Sequence, residues 1–248
     1  MSLYKDEGVV IRTRNLGEAD RIVTLFTRAR GKVEGVARGA RRTRSRLLGS
    51  TQLFTVGRYL IFKGNSLDTI SQAEIARSFS RLREELVLMG YASYLAELVD
   101  LAVEPGEPSE ELFHLLVAAL DQLESGTGPD LVVRWFDLRL MALLGYRPEL
   151  DVCVRCGGAP EEARFSYREG GVLCAACAPG DASAVPVRRS TVEFVRRLLV
   201  TGADRLSVVS PSLAELELME RAIRPFVDYR LPRPLKTVAF LSSIKDLA

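Results

Sequence analysis

Four cysteines, Cys153, Cys156, Cys174 and Cys177, stand as two C-x-x-C pairs with 17 residues (157–173) between them, and the chain has no others. Two residues between paired thiols let both sulfurs of a tight turn face one ion, and Zn2+ accepts four of them tetrahedrally. Gly157 and Gly158 follow the first pair, where the backbone has to curl with its amides toward sulfur. Between the pairs, Arg164–Tyr167, a turn over Glu169-Gly170-Gly171 and Val172-Leu173 read as a short hairpin. Two disulfides or four unrelated buried thiols are the competing readings. Four thiolates leave no coordination position open for water, so one zinc ion here is expected to be structural, not catalytic.

Elsewhere the hydrophobic period divides the chain. Residues 1–80 carry β-branched runs at Val9–Arg14, Arg21–Thr27, Lys32–Arg38, Leu53–Phe62 and Leu67–Ile75, with glycine-bearing bends between them. If Val9 and Ile11 face inward, Arg12 and Arg14 face outward. Five short strands predict a small closed barrel of the OB type, with a five-stranded SH3-like barrel as the competitor. From Arg77 to Val103 apolar residues recur nearly all round, as in a long helix buried on several sides. Ser109 caps the next helix, and another spans Asp130–Leu144. Ser190-Thr-Val-Glu193 and Ser212-Leu-Ala-Glu215 read as capping boxes opening two more, with a last helix over Pro234–Ile244. The expected fold is therefore α+β: an OB-fold domain over 1–80 and an all-helical domain over 81–248, with the cysteine module inserted at 152–180.

Formal net charge is +2, but residues 1–80 hold 15 lysines and arginines against 7 acids, and the remainder holds 19 against 25. A basic first third on an acidic body points to a polyanionic partner. Arginine makes up 29 of the 34 basic residues throughout, which codon bias explains as well as phosphate recognition does. The charge peaks at Arg38, Arg41, Arg42, Arg44 and Arg46, five arginines in nine residues without an acid. Such a loop is either solvated and flexible or held to a nucleic-acid backbone. With Arg12, Arg14 and Lys32 these are the candidate phosphate contacts. Tyr59 and Phe62 are candidates for base stacking, although core packing accounts better for at least one of them.

Catalytic constellations are missing from the pattern. The single histidine, His114, lies mid-helix and reads as an ordinary surface or half-buried residue. There is no G-x-x-x-x-G-K-S/T loop, and Glu104, Glu107, Glu110 and Glu111 sit at a helix start, where acids suit the helix dipole. No apolar run approaches a membrane span, and acids near the N-terminus interrupt any signal peptide, so a reducing, cytoplasmic setting is expected.

Taken in order and spacing, Gly8–Arg12, Gly17–Thr27, Gly31-Lys32, Gly39-Ala-Arg41-Arg42 and Ser45 resemble the RecO family of bacterial recombination mediators. Cys153-Val-Arg-Cys156-Gly-Gly, Phe165, Gly170-Gly171, Cys174 and Cys177 are similar to the zinc motif of members that keep one. The resemblance implies an OB fold, a helical C-terminal domain and binding of single- and double-stranded DNA. It also implies annealing of complementary strands and RecA loading onto DNA coated by single-strand binding protein. RecR, the RecF pathway and the acidic tail of single-strand binding protein are the implied partners, at the nucleoid. An RNA- or ribosome-associated OB protein with zinc is the alternative, and a metal-dependent nuclease is disfavoured by the closed thiolate site.

Overall fold

The computed structural model describes residues 2–245, which form two compact units: residues 2–125 with 235–245, and residues 126–234. The first unit begins with β1 (Leu3–Leu16), β2 (Asp20–Thr27) and β3 (Gly31–Ala37), followed after a long loop by β4 (Val56–Phe62) and β5 (Asp68–Arg77). They close in the order β1-β2-β3-β5-β4, with β4 returning to β1 and a single parallel seam between β3 and β5. That order is the OB barrel and not the SH3-like one.

Barrel polarity differs from the expected alternation at β1. Val10 pairs with Leu25 and Arg12 with Thr24, so Ile11 is the extra residue of a β-bulge. Val10, Val23, Leu25, Tyr59, Ile61 and Ile70 fill the interior. Val9 and Ile11 are buried as well, but they are not part of that interior cluster. A simple inside/outside count across a bulge misassigns every residue on one side of it.

Four helices complete this unit: α1 (Arg81–Glu84), α2 (Leu86–Ala102), α3 (Glu110–Glu124) and α7 (Lys236–Lys245). The helix expected from Arg77 starts later, because β5 runs through Arg77, and it breaks at Glu85, whose backbone is extended. Ser109 caps α3 by accepting from the Leu112 N–H, as expected. Helix α2 packs on β1, and Phe113 of α3 meets Phe26 of β2 with ring centroids 6.4 Å apart. The β2–β3 turn comes so near the loop before α3 that a Cβ on Gly31 would lie 2.1 Å from the Glu107 carbonyl oxygen; its φ of +66° also favours glycine. Helix α7 returns to α2, where the Glu97 carboxylate accepts from the N–H groups of Lys236 and Thr237 at 3.0 and 2.9 Å and so caps its first turn.

The second unit holds α4 (Pro129–Leu143), the cysteine module, α5 (Arg189–Val200) and α6 (Leu213–Arg230). Its hairpin, β6 (Arg164–Ser166) and β7 (Gly171–Leu173), gains a third strand, β8 (Ala184–Pro186), too short to be seen as a period in sequence. Helix α5 starts at Arg189 with Arg188 at the cap position, and its expected Ser190–Glu193 box is not formed; Glu193 pairs with Arg196 instead. The Ser212–Glu215 box is formed in full at α6. From α4, the Trp135 indole N–H and the Arg139 guanidinium donate to the carbonyls of Thr201 and Leu199 at 2.9 Å each, satisfying the end of α5. Among the described residues no helix is long and apolar enough to cross a membrane.

Candidate metal site and nucleic-acid interface

In the second unit the four cysteine sulfurs all lie within 4.8 Å of one another, and Cys156 Sγ and Cys174 Sγ are 3.8 Å apart. A tetrahedron with ~2.3 Å metal–sulfur bonds has edges of about 3.8 Å, so the quartet fits one ion. Each pair is shaped by its own backbone. Gly157 N–H donates to the Cys153 carbonyl at 2.8 Å, and Gly157 adopts φ +71°, which a side chain would disfavour. Cys177 and Ala178 N–H groups donate to the Cys174 carbonyl at 3.1 and 3.0 Å. Arg155 ties the two pairs together, donating to the Cys177 carbonyl at 3.0 Å and to Glu169 at 2.9 Å.

The thiols behave as a ligand set. Hydrogen bonds from the backbone N–H groups of Cys174 and Cys156 draw the buried Cys153 thiol down to about 6. Cys177, hydrogen-bonded to its neighbours and facing the Cys153 charge, is pushed up to about 12. Four sulfurs this close cannot all ionise on their own, whereas a cation among them removes the conflict. No disulfide joins them.

The basic residues of the first unit divide into paired and free. Arg12 is engaged by Glu34 at 2.6 Å and by Asp100 at 3.4 Å. Lys32, 15% exposed, is held by the Asp100 carboxylate at 3.2 Å and donates to the Asp100 carbonyl at 2.6 Å, so it fastens α2 to the barrel. Tyr59, expected as a stacking residue, is 1% exposed inside the barrel and donates its hydroxyl to the Ser50 carbonyl at 2.8 Å. No base reaches it without opening the core. Phe62 on the same strand is 37% exposed. His114 is an exposed helix residue beside Glu110, 3.5 Å away.

Arg14 on β1 and Arg38, Arg42, Arg44 and Arg46 on the basic loop are all exposed, and none makes a hydrogen bond or ion pair through its side chain among the described residues. The loop is nevertheless not loose. Ala40 and Leu47 insert into the barrel core, and Ser50, Thr51 and Thr55 are buried beneath it. The tip of the β1–β2 hairpin holds its near end: Asp20 accepts from Gly39 N–H at 2.7 Å, Ala19 from Arg41 N–H at 2.9 Å, and Gly17 from the Arg41 guanidinium at 2.9 Å. Arg21, which the sequence does not single out, donates to the Thr51 carbonyl at 3.0 Å. Burial and the nearby Arg41 charge hold its pKa below the ordinary guanidinium value. Its only sequence signal is a place at the start of an apolar strand. The outcome is a structured loop with small and apolar side chains packed inward and four uncompensated guanidiniums outward.

Comparison with known proteins agrees with this construction. The model of the recombination protein O N-terminal domain matches residues 1–79, and that of the C-terminal domain matches residues 83–239. A DNA repair protein RecO of Symbiobacterium thermophilum is 41% identical, covering 99% of each chain. That of Pelotomaculum thermopropionicum is 39% identical over 97% of this chain and 94% of its own, and that of Bacillus subtilis 34% identical over 99% and 96%. With both domain models matched in sequence order and relatives aligned over nearly the full length, the chain belongs to the RecO family of DNA repair proteins.

Proposed function

We propose that this chain is a non-enzymatic recombination mediator that binds single- and double-stranded DNA through the arginines of its barrel loop. The observation that carries the reading is the set of four exposed, unpaired guanidiniums on a loop whose backbone is fixed by buried neighbours. Surface arginines usually find an acid; here two acids of the flanking strands, Asp20 and Glu34, are occupied by Gly39 N–H and by Arg12. A strand of phosphates supplies the missing counter-charge. Contacts to phosphate carry no sequence information and leave base edges free. A protein that neutralises two strands this way lowers their repulsion while leaving them able to pair, which is the physical basis for annealing.

Family membership supports the further steps: help in loading RecA onto DNA coated by single-strand binding protein, action with RecR and the RecF pathway, docking of the acidic tail of single-strand binding protein, and a cytoplasmic, nucleoid-associated setting. We assign the thiolate site to one structural Zn2+ held by Cys153, Cys156, Cys174 and Cys177, on the strength of an all-sulfur donor set whose four atoms lie within 4.8 Å of one another.

The test is a salt titration of binding to single-stranded DNA, duplex DNA and RNA of equal sequence. Each phosphate neutralised on a single strand contributes a log–log slope of roughly −0.7, so Arg42→Ala/Arg44→Ala/Arg46→Ala should flatten the slope by about 2 and weaken all DNA substrates together. Unchanged slope and affinity would remove the loop as the site, and a marked preference for RNA would remove DNA as the ligand.

A further inference from the structure

Three tyrosines are each followed directly by arginine: Tyr146-Arg147, Tyr167-Arg168 and Tyr229-Arg230. Far apart in sequence, they converge in the second unit. The Arg230 guanidinium carbon lies 5.2 Å from the Tyr146 ring centroid and 5.7 Å from that of Tyr229. The Tyr167 ring meets Tyr229 edge-on with centroids 5.8 Å apart, and Arg230 donates to the Tyr167 carbonyl at 2.7 Å. One arginine thus gathers rings from the segment after α4, from the β6–β7 turn and from the end of α6.

Packing does not account for Tyr146 and Tyr229, and it covers Tyr167 only in part. The core beneath is built by Phe165 and Phe226, whose centroids are 5.6 Å apart, and Arg230 already stacks on Phe226 at 3.9 Å. Tyr146 and Tyr229 remain 48% and 57% exposed, and none of the three hydroxyls has a hydrogen-bond partner among the described residues. Large aromatics left in water beside one another and beside a cation mark a binding surface.

Charge narrows the ligand. Arg147 and Arg168 are exposed and unpaired among the described residues. The acids closest in sequence are engaged: Glu169 by Arg155, Asp228 by Arg224, and Glu149 by the N–H groups of Asp151 and Val152. The surface therefore offers flat π-faces with a surplus of positive charge, which fits a planar apolar group tethered to an anion. An unpaired nucleotide has both, and a duplex hides its base faces.

We propose that Tyr146, Tyr167 and Tyr229 form a base-stacking site for single-stranded DNA on the second unit, distinct from the phosphate-binding loop of the barrel. This rests on the reading that the chain binds single strands, and it supplies the aromatic platform that Tyr59 cannot.

Three probes of equal length separate the two contributions: oligo(dT), an abasic deoxyribose-phosphate strand, and duplex DNA, each titrated against the full chain. Tyr146→Leu/Tyr229→Leu should weaken oligo(dT) by roughly tenfold per ring lost. It should leave abasic and duplex binding and the salt slope as they were. Tyr146→Phe/Tyr229→Phe keeps the rings and should bind as the wild type does. Strands carrying 5-bromouracil should cross-link to one of the three tyrosines, which requires no variant to fold. Wild-type affinity in the Leu pair, equal loss on oligo(dT) and the abasic strand, or cross-links confined to the barrel would each overturn the site. If the Leu pair behaves as wild type while the loop-arginine variant loses its slope, the barrel site stands and the tyrosine site falls. If the Leu pair loses oligo(dT) while the loop-arginine variant keeps its slope, the tyrosine site stands and the barrel site falls. A wild-type chain that binds no single strand removes both.

Discussion

Tyr59 and Tyr229 show how completely surroundings decide what one side chain does. Tyr59 sits among Val10, Leu25 and Ile61, and its one polar atom is used by the Ser50 carbonyl. Burial pushes its phenol well above the ordinary range, so it stays a neutral donor at any workable pH. Its hydroxyl therefore holds the basic loop onto the barrel. Tyr59→Phe should cost about 1–3 kcal/mol in urea unfolding, because the Ser50 carbonyl is left buried without its donor. Single-strand affinity measured below the unfolding midpoint should not move; a loss of affinity with no loss of stability would put Tyr59 on the DNA after all. Sequence alone places Tyr59 and Phe62 on one strand and leaves open which faces in, since Gly57 obscures the alternation and the β5 pairing slips at both Val56/Gly57 and Leu60/Ile61. The cysteines are legible for the opposite reason. Their geometry is set by covalently short loops, which sequence displays directly.

At the level of elements, local signals hold where no distant contact competes for their side chains and fail where one does. Ser212 and Glu215 close a reciprocal box at α6, with Glu215 N–H donating to the serine hydroxyl at 3.3 Å and Ser212 N–H to the carboxylate at 2.9 Å. The matching letters at Ser190 and Glu193 do not, because the cap falls two residues earlier, at Arg188, and Arg196 takes the glutamate. Arg196 is itself fixed by Asp151 at 2.8 Å and by the Leu150 carbonyl at 2.6 Å, contacts more than forty residues away that no local window contains. Paired substitutions check the distinction. Ser212→Ala should lose about 1 kcal/mol of stability, within the usual range for a cap. Ser190→Ala should stay within about 0.5 kcal/mol, as for an ordinary exposed site. Equal losses at both would mean that the Ser190 box forms in solution. The break at Glu85 and the third strand of the module are illegible on the same grounds: a single extended residue and a three-residue strand carry no period.

On the scale of the whole chain, strand and helix periods reveal the barrel and the helical region, but not which helices keep company with the barrel. Helices α2 and α3 pack on β1 and β2, and α7 joins them through Glu97, 140 residues before Thr237. Only a folded chain reveals such a pairing. A bound metal ion matters where the local structure is too small to stand alone. Strands β6, β7 and β8 have three residues each, far too few to stand as an independent sheet. What holds them is the sulfur quartet on one side and the Phe165–Phe226 and Arg230 contacts to α6 on the other. An ion at the quartet contributes its binding free energy to that module's fold, so withdrawing it should unfasten the module first. Hydrogen exchange followed by mass spectrometry, before and after a strong chelator, tests this. Protection should fall across residues 150–186, including the Val154 N–H to Val172 carbonyl and Cys153 N–H to Gly158 carbonyl bonds, and at the C-terminal turn of α6. Amides of β1–β5 should exchange as before. The tyrosine cluster hangs on the same turn through Arg230, so the chelated protein should also lose its advantage for oligo(dT) over an abasic strand while its salt slope persists. Unchanged protection around the cysteines would show that apolar packing alone sustains the module and that the ion adds nothing to it.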